Sequence, residues 1–242
     1  MNISIAQIRA IKGDIPANIE IHKRVIAAAV NGNASAVFFP ELSITGYEPE
    51  LAEHLATNQN DPRFNDFQLL SDNNKITIGI GMPTIAPAGI LISMIIFQPH
   101  VPRQIYSKQK LHTDELPYFV NGDRQLILEV GNQQIAPAIC FESLQMDHAT
   151  TAKAIGASLY LASVAKSQKG VDKAVIHYPE VANKNSMPVL MANCVGYCDN
   201  FDSVGKSSVW TKEGRLAGQL DHVREGLLIF DTDTERVTTE LL

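Results

Sequence analysis

The chain alternates between short runs of β-forming apolar residues and longer segments with helical spacing, and this alternation limits the folds open to it. Ile3 to Ile8 and Ser158 to Val164 read as strands, whereas Ile15 to Val30 carries apolar residues at roughly helical intervals. Gly131-Asn132 and Glu213-Gly214 mark hairpins between neighbouring strand-like runs. Helical and hairpin connections within one chain predict a mixed sheet in an α/β or α+β architecture. The number of strands favours two packed sheets covered by helices.

Composition and patterning limit the class of protein. No Pro/Ser-rich linker, low-complexity tract or block of like charge interrupts the 242 residues, so we expect a single domain over residues 1–242. The longest apolar run, Gly89 to Phe97, is too short to span a bilayer, and the N-terminus lacks the features of a signal peptide. A net charge of −6 without a basic run argues against nucleic-acid binding. We therefore expect a cytoplasmic protein with neither membrane nor nucleic-acid partners.

The three cysteines cannot form a disulfide framework for a chain of this size. Cys140 follows an apolar strand and opens a predicted helix, where free backbone N–H groups favour a thiolate and a developing oxyanion. The alternative for Cys140 is a buried structural thiol. Cys194 and Cys198 lack nearby residues that would complete a zinc site, so we interpret them as structural thiols and expect no metal.

Two charged residues also stand at the ends of apolar runs. Glu41 follows Phe38-Phe39, and burial there would raise the pKa of its carboxyl until it can move protons near neutrality. Lys108 ends a short strand-like run and could stabilise a thiolate or an oxyanion. Taken alone, a glutamate or lysine at such a position is more often a capping or solvated charge. Together with Cys140, they supply a base, an electrostatic stabiliser and a nucleophile suited to attack on an amide or nitrile carbon.

The segments around these residues resemble the motifs of the nitrilase superfamily, the carbon–nitrogen hydrolases. The matching segments are Phe39-Pro40-Glu41-Leu42 with Gly46-Tyr47, Tyr106-Ser107-Lys108, Asp114-Glu115 through Tyr118-Phe119 to Gly122-Asp123, and Ile139-Cys140-Phe141-Glu142. Their order and spacing fit that family, and the resemblance extends from Ile3 to about Phe230.

The resemblance implies a four-layer α-β-β-α sandwich with two mixed β-sheets and a homodimer or higher homo-oligomer. It implies that Glu41 is the catalytic base, Lys108 the oxyanion stabiliser and Cys140 the nucleophile, with Glu115 orienting Lys108 or the substrate. No cofactor is implied. In this chain Lys110 stands where the family often has histidine, and a serine replaces the usual arginine before Lys108, so Lys110 remains the alternative catalytic lysine.

The implied activity is cleavage of a non-peptide C–N bond in a small amide, N-carbamoyl compound or nitrile through a cysteine thioester, with amides favoured. We expect the Phe141 N–H to face the oxyanion and Tyr47, Ser163 and Val164 to border the pocket. Two alternatives stay open: an acyl transferase that uses the same thioester, and a catalytically inactive binding or regulatory subunit. A Cys-His protease site, with His148 or His177 beside the cysteine, has no matching local motif.

Overall fold

The computed structural model describes residues 1–242, and its strands form two large sheets with helices on their outer sides. The strands are β1 (Asn2–Gln7), β2 (Ala36–Phe38), β3 (Thr77–Ala86), β4 (Gly89–Gln98), β5 (Val101–Ser107), β6 (Leu128–Val130), β7 (Gln133–Ile139), β8 (Leu159–Val164), β9 (Val189–Asn193), β10 (Val195–Cys198), β11 (Phe201–Val204), β12 (Ser208–Trp210), β13 (Leu216–Gln219), β14 (Gly226–Asp231) and β15 (Arg236–Leu241). The α-helices are α1 (Ile15–Asn31), α2 (Ala52–Leu55), α3 (Asn65–Asn74), α4 (Met146–Ala154) and α5 (Gln168–Asn185). Short 3₁₀ helices cover Pro49–Leu51, Pro62–Phe64 and Cys140–Leu144. None of the helices has the length and apolarity that a membrane span requires.

Both large sheets are mixed. The first has seven strands in the order β15-β14-β1-β2-β3-β4-β5, and the second has six in the order β13-β12-β9-β8-β7-β6. Parallel strands occupy the middle of each sheet, β1-β2-β3 in one and β7-β8-β9 in the other, and antiparallel strands flank them. β10 and β11 form a separate two-stranded sheet.

Three clusters of buried apolar side chains show how the layers stack. The largest, with 27 residues, joins Phe38 of the first sheet to Leu161 of the second, so it fills the space between the sheets. A cluster of 22 packs α1 and α3 on the first sheet, and a cluster of 16 packs α4 and α5 on the second. The order of layers is therefore α-β-β-α, which confirms the expected four-layer sandwich.

Some elements differ from the sequence-based prediction. The helix predicted to open at Cys140 is not continuous, because a 3₁₀ helix covers Cys140–Leu144 and α4 begins only at Met146. The break has a physical reason, because the Glu142 carboxylate turns inward and accepts the backbone N–H of Ile139 at 2.7 Å. β15 was not predicted, since this edge strand is mostly exposed and carries no apolar alternation.

The strand ends that matter for function meet at one edge of the sandwich. β2 and β5 of the first sheet lead into the segments that carry Glu41 and Lys108, and β7 of the second leads directly into Cys140. A hydrogen bond joins the two sheets here, because the Ser163 hydroxyl at the end of β8 donates to the Phe39 carbonyl at 2.7 Å. The carboxyl ends of parallel strands commonly gather ligands in α/β proteins.

Candidate active site

A buried lysine lies between two glutamates at this edge. Lys108 Nζ donates to Glu41 Oε1 at 2.8 Å and to Glu115 Oε1 at 2.6 Å, and the lysine side chain is 0% exposed. The Tyr47 hydroxyl donates to the same Glu115 oxygen at 2.9 Å. Burial by itself lowers the pKa of Lys108, but the charge of Glu41 and those of Cys140 and Glu115 raise it overall, so the ammonium keeps its proton.

The turn that carries Glu41 packs tightly on the neighbouring strand. At Gly81 of β3, a Cβ atom would come within 2.3 Å of the Leu42 nitrogen and 2.5 Å of the Pro40 carbonyl oxygen, so only glycine permits this approach. Glu41 is fully enclosed as a result. Burial raises the pKa of the Glu41 carboxyl to about 7, although Lys108 acts to lower it. Its second oxygen, Oε2, is buried without a hydrogen-bond partner, which leaves an acceptor for a proton.

Cys140 stands in a strained backbone conformation where β7 ends. Its φ is +47°, a value that non-glycine residues rarely adopt and that recurs at functional sites. Burial, and secondarily the charge of Glu41, raises the pKa of its thiol to about 12, while Lys166 and Lys108 act in the opposite direction. The thiol is therefore protonated at rest, and it needs a base before it can act as a nucleophile.

The Glu142 carboxylate ties the cysteine turn to the lysine segment. It accepts the Ile139 N–H at 2.7 Å, the Gln109 N–H at 2.6 Å and the Tyr106 hydroxyl at 2.6 Å. One acid thus fixes the residue before Cys140 and the residue after Lys108. The sequence predicted no separate role for Glu142 beyond the cysteine motif, because nothing in the sequence reveals that its side chain turns back into the core.

A cavity of about 480 Å³ opens beside these groups. Four of the residues expected at the site line it: Tyr47, Glu115, Cys140 and Phe141. The Phe141 ring packs edge-on against His112, with centroids 5.3 Å apart. Glu41 and Lys108 do not line the cavity but lie buried behind it.

Other expected site residues lie elsewhere. Ser163 and Val164 are buried at the end of β8 and do not line the cavity; Ala165 and Lys166, the next two residues, do. Lys166 was missed by sequence reasoning, although its position directly after a central strand could have indicated it. Lys110 Nζ lies 2.5 Å from Asp147 on α4, on the outer surface, so Lys108 is the lysine between the two glutamates.

The histidines and the other cysteines are placed differently from Cys140. His148 is held between Tyr160 and Tyr106, with ring nitrogens 2.7 Å and 3.0 Å from their hydroxyls, and it makes no hydrogen bond to Cys140. Cys194 and Cys198 are buried with their Sγ atoms 3.7 Å apart.

The model of the carbon-nitrogen hydrolase family matches residues 2–239. Among solved structures, the amidase of Nesterenkonia sp. AN1 superposes with a TM-score of 0.88 at 24% identity, covering 96% of this chain and 92% of that one. Mutant structures of that amidase include one with butyramide and one with the acetamide moiety of fluoroacetamide added covalently at the active-site cysteine.

Two curated relatives have similar identities but different lengths. The glutamine-dependent NAD(+) synthetase of Aquifex aeolicus is 24% identical over 96% of this chain, which spans only 42% of that protein. A probable nitrilase of Schizosaccharomyces pombe is 22% identical, and the match covers 97% of this chain and 89% of the relative. The chain thus spans less than half of the synthetase and most of the probable nitrilase.

Proposed function

The chain belongs to the carbon–nitrogen hydrolase family of the nitrilase superfamily, and from that premise we propose that it hydrolyses a small amide through a thioester on Cys140. The observation that carries the proposal is the buried Glu41–Lys108–Glu115 cluster, with Lys108 Nζ 2.8 Å and 2.6 Å from the two carboxylates, behind a cavity lined by Cys140. A base, a permanent cation and a nucleophile are the groups that acyl transfer from an amide requires.

The first half of the reaction forms the thioester. Glu41 takes the proton of the Cys140 thiol, and the sulfur attacks the carbonyl carbon of the amide. The electron pair of the C=O bond moves to oxygen, and the resulting oxyanion is stabilised by the Lys108 ammonium and the Phe141 N–H. When the tetrahedral intermediate collapses, the C–N bond breaks, and Glu41 returns the proton to the departing ammonia.

The second half releases the acid. Glu41 removes a proton from water as the water attacks the thioester carbonyl, and the same Lys108 and Phe141 groups stabilise the second oxyanion. The C–S bond then breaks, the carboxylic acid leaves, and the proton returns to the Cys140 sulfur. Glu115 takes no proton in this scheme. It accepts the Lys108 ammonium and the Tyr47 hydroxyl through one oxygen and thereby orients the lysine.

Ammonia release from a panel of amides, N-carbamoyl compounds and nitriles tests the proposal. We expect turnover of at least one small amide, an acyl adduct on Cys140 by intact mass, and no turnover by a folded Cys140→Ala variant. Cys194→Ala is the matched control, since Cys194 does not line the cavity, and it should retain turnover. Hydrolysis by folded Cys140→Ala contradicts the thioester route.

The Nesterenkonia amidase among the similar structures supports an amide rather than a nitrile substrate. A matched pair separates the two: butyramide and butyronitrile share their carbon chain and differ only in the reacting group. We expect a higher kcat/KM for butyramide. Hydroxylamine added to the amide reaction tests for acyl transfer, because capture of the thioester by an amine would yield a hydroxamate. Absence of both turnover and adduct across the whole panel favours an inactive binding or regulatory subunit.

A further inference from the structure

Lys166 is a buried cation at the cavity for which the reaction scheme has no use. It lies two residues beyond the end of β8 and is 4% exposed. Its Nζ is 3.9 Å from Cys140 Sγ, and no carboxylate lies within ion-pair distance of it. The stem of the lysine crosses Gly170, where a Cβ would come within 3.1–3.6 Å of its methylenes. A buried ammonium without a counter-ion is unfavourable unless an anion joins it.

The side chains around Lys166 offer it no carboxylate within ion-pair distance. Lys173 also lines the cavity and has no carboxylate partner, and His177, whose pKa is lowered by burial, lines it as a neutral ring with a buried Nε2 that has no hydrogen-bond partner. Of the two lining carboxylates, Glu115 is paired with Lys108 at 2.6 Å, and Asp114 lies 2.5 Å from His112 Nδ1 at an exposed position. Lys166 is therefore the buried, unpaired cation that a ligand next to Cys140 meets.

Resting on the proposed amide hydrolysis, we propose that Lys166 binds a carboxylate of the substrate and thereby selects monoamides of short dicarboxylic acids. The acyl carbon of the substrate bonds to Cys140 Sγ, and Nζ lies 3.9 Å from that sulfur. A carboxylate one or two methylenes beyond the acyl carbon can therefore reach the ammonium. Charge-assisted hydrogen bonds of this kind are stronger than neutral ones, and a site built for a polar group rejects analogues that lack it.

A pair of substrates of equal length tests the selection. Succinamate is butyramide with its terminal methyl replaced by a carboxylate, so the quotient of their kcat/KM values reports the preference for the anion. We expect a quotient well above one in the unaltered protein and at least tenfold lower in Lys166→Met. Lys169→Met is the matched control, since Lys169 is exposed on α5 and does not line the cavity, and its quotient should stay within twofold. An equal loss on both substrates assigns Lys166 to the Cys140 thiolate alone and overturns the proposal.

Alkylation of Cys140 provides a measurement that needs no turnover. Iodoacetate and iodoacetamide have similar sizes, and the first places a carboxylate next to the alkylated sulfur. We expect the ratio of their rates at Cys140, followed by peptide mass, to fall at least tenfold in Lys166→Met and to stay unchanged in Lys169→Met. The unaltered protein gives a further check if Lys166→Met fails to fold: succinate should slow iodoacetamide labelling of Cys140, and the neutral four-carbon compound 1-butanol should not.

The two measurements distinguish a failed subsite from a failed activity. An anion-dependent alkylation ratio without hydrolysis of any amide supports the carboxylate subsite and contradicts the proposed function. Amide hydrolysis with an unchanged quotient and an unchanged alkylation ratio supports the function and overturns the subsite. Equal protection by succinate and the neutral 1-butanol also overturns it.

Discussion

Lys108 Nζ donates to Glu41 Oε1 at 2.8 Å, and both side chains are completely shielded from solvent. This ion pair joins the segment after β5 to the turn after β2. A buried pair adds little net stability, but loss of one partner leaves an uncompensated charge. The pair therefore matters most for the protonation state of Glu41, because the lysine keeps the pKa of that carboxyl lower than burial alone would place it.

Lys108→Met should lower activity sharply and destabilise the fold. The variant leaves Glu41 and Glu115 buried without their cation, and we expect a loss of about 3–5 kcal/mol in the free energy of unfolding. Loss of the oxyanion stabiliser should lower kcat by about a hundredfold or more. Steady-state ammonia release and chemical denaturation measure the two effects.

Lys110→Met is the matched control for the choice between the two lysines. It removes an ion pair to Asp147 in which the lysine is 39% and the aspartate 72% exposed. Such pairs contribute about 0–1 kcal/mol, so stability and kcat should change little. A severe loss of kcat in Lys110→Met with near-normal kcat in Lys108→Met would reverse the assignment.

Much of the fold and of the site could be predicted from local sequence, and the failures have a common cause. Glu41 and Cys140 each follow an apolar run, and Lys108 follows a short strand-like run. A charged or reactive residue at the end of such a run can be recognised from the sequence alone. Ser163 and Val164 were expected at the pocket as the last residues of β8, and the strand does end at Val164, but their side chains turn elsewhere: Ser163 donates to the Phe39 carbonyl and Val164 packs under the helices of the second sheet. The structure places Ala165 and Lys166 there instead.

Side-chain contacts between distant segments were beyond the reach of the sequence. Glu142 reads as a helical residue, yet its carboxylate accepts N–H groups from two different segments and interrupts the helix. The unpaired lysines of the cavity were missed for the same reason. Lys166 and Lys173 look like ordinary lysines until the structure shows that neither has a carboxylate partner and that both line the cavity with Cys140.

Glu142→Gln should slow catalysis although Glu142 does not line the cavity. The carboxylate accepts the Ile139 N–H at 2.7 Å and the Gln109 N–H at 2.6 Å, and an amide can offer only one acceptor oxygen. We expect a loss of about 2–3 kcal/mol in the free energy of unfolding. The turn of Cys140 should also shift relative to Lys108.

The measurement is kcat and KM together with the rate of iodoacetamide labelling at Cys140. A positioning role predicts a lower kcat and a changed labelling rate. Glu129→Gln, a change at an exposed position on β6, is the control and should alter neither. Destabilisation with an unchanged kcat and labelling rate would show that Glu142 only supports the fold.

Ser163→Ala tests the hydrogen bond that joins the two sheets. Its hydroxyl donates to the Phe39 carbonyl at 2.7 Å, two residues before Glu41. The variant leaves that buried carbonyl without this donor, so we expect a loss of about 1–3 kcal/mol in the free energy of unfolding. Ser71→Ala on α3 is the control, because Ser71 is equally buried but its hydroxyl has no partner, and its removal should cost nothing. Equal effects in both variants would mean that the bond to Phe39 contributes nothing.

The raised pKa of Glu41 predicts how activity and stability depend on pH. As the proposed base, Glu41 must be ionised, so kcat/KM should rise with pH through an apparent pKa of about 7. The effect on stability runs the other way. The folded carboxyl holds its proton more tightly than the unfolded one, whose ordinary pKa is 4.5. The stabilisation linked to that proton is complete below about pH 4.5 and is lost as the pH rises through about 7.

Glu41→Gln isolates this dependence, because glutamine has nearly the same shape and does not titrate. We expect the free energy of unfolding of the unaltered protein, relative to Glu41→Gln, to fall by about 3 kcal/mol between pH 4.5 and pH 8. Urea denaturation at a series of pH values measures the difference, and groups common to both proteins cancel. A difference that stays flat over this range, or one that grows with pH, would show that the folded carboxyl of Glu41 has an ordinary or lowered pKa. Such a carboxyl would be a much weaker base toward the Cys140 thiol than the proposed reaction calls for.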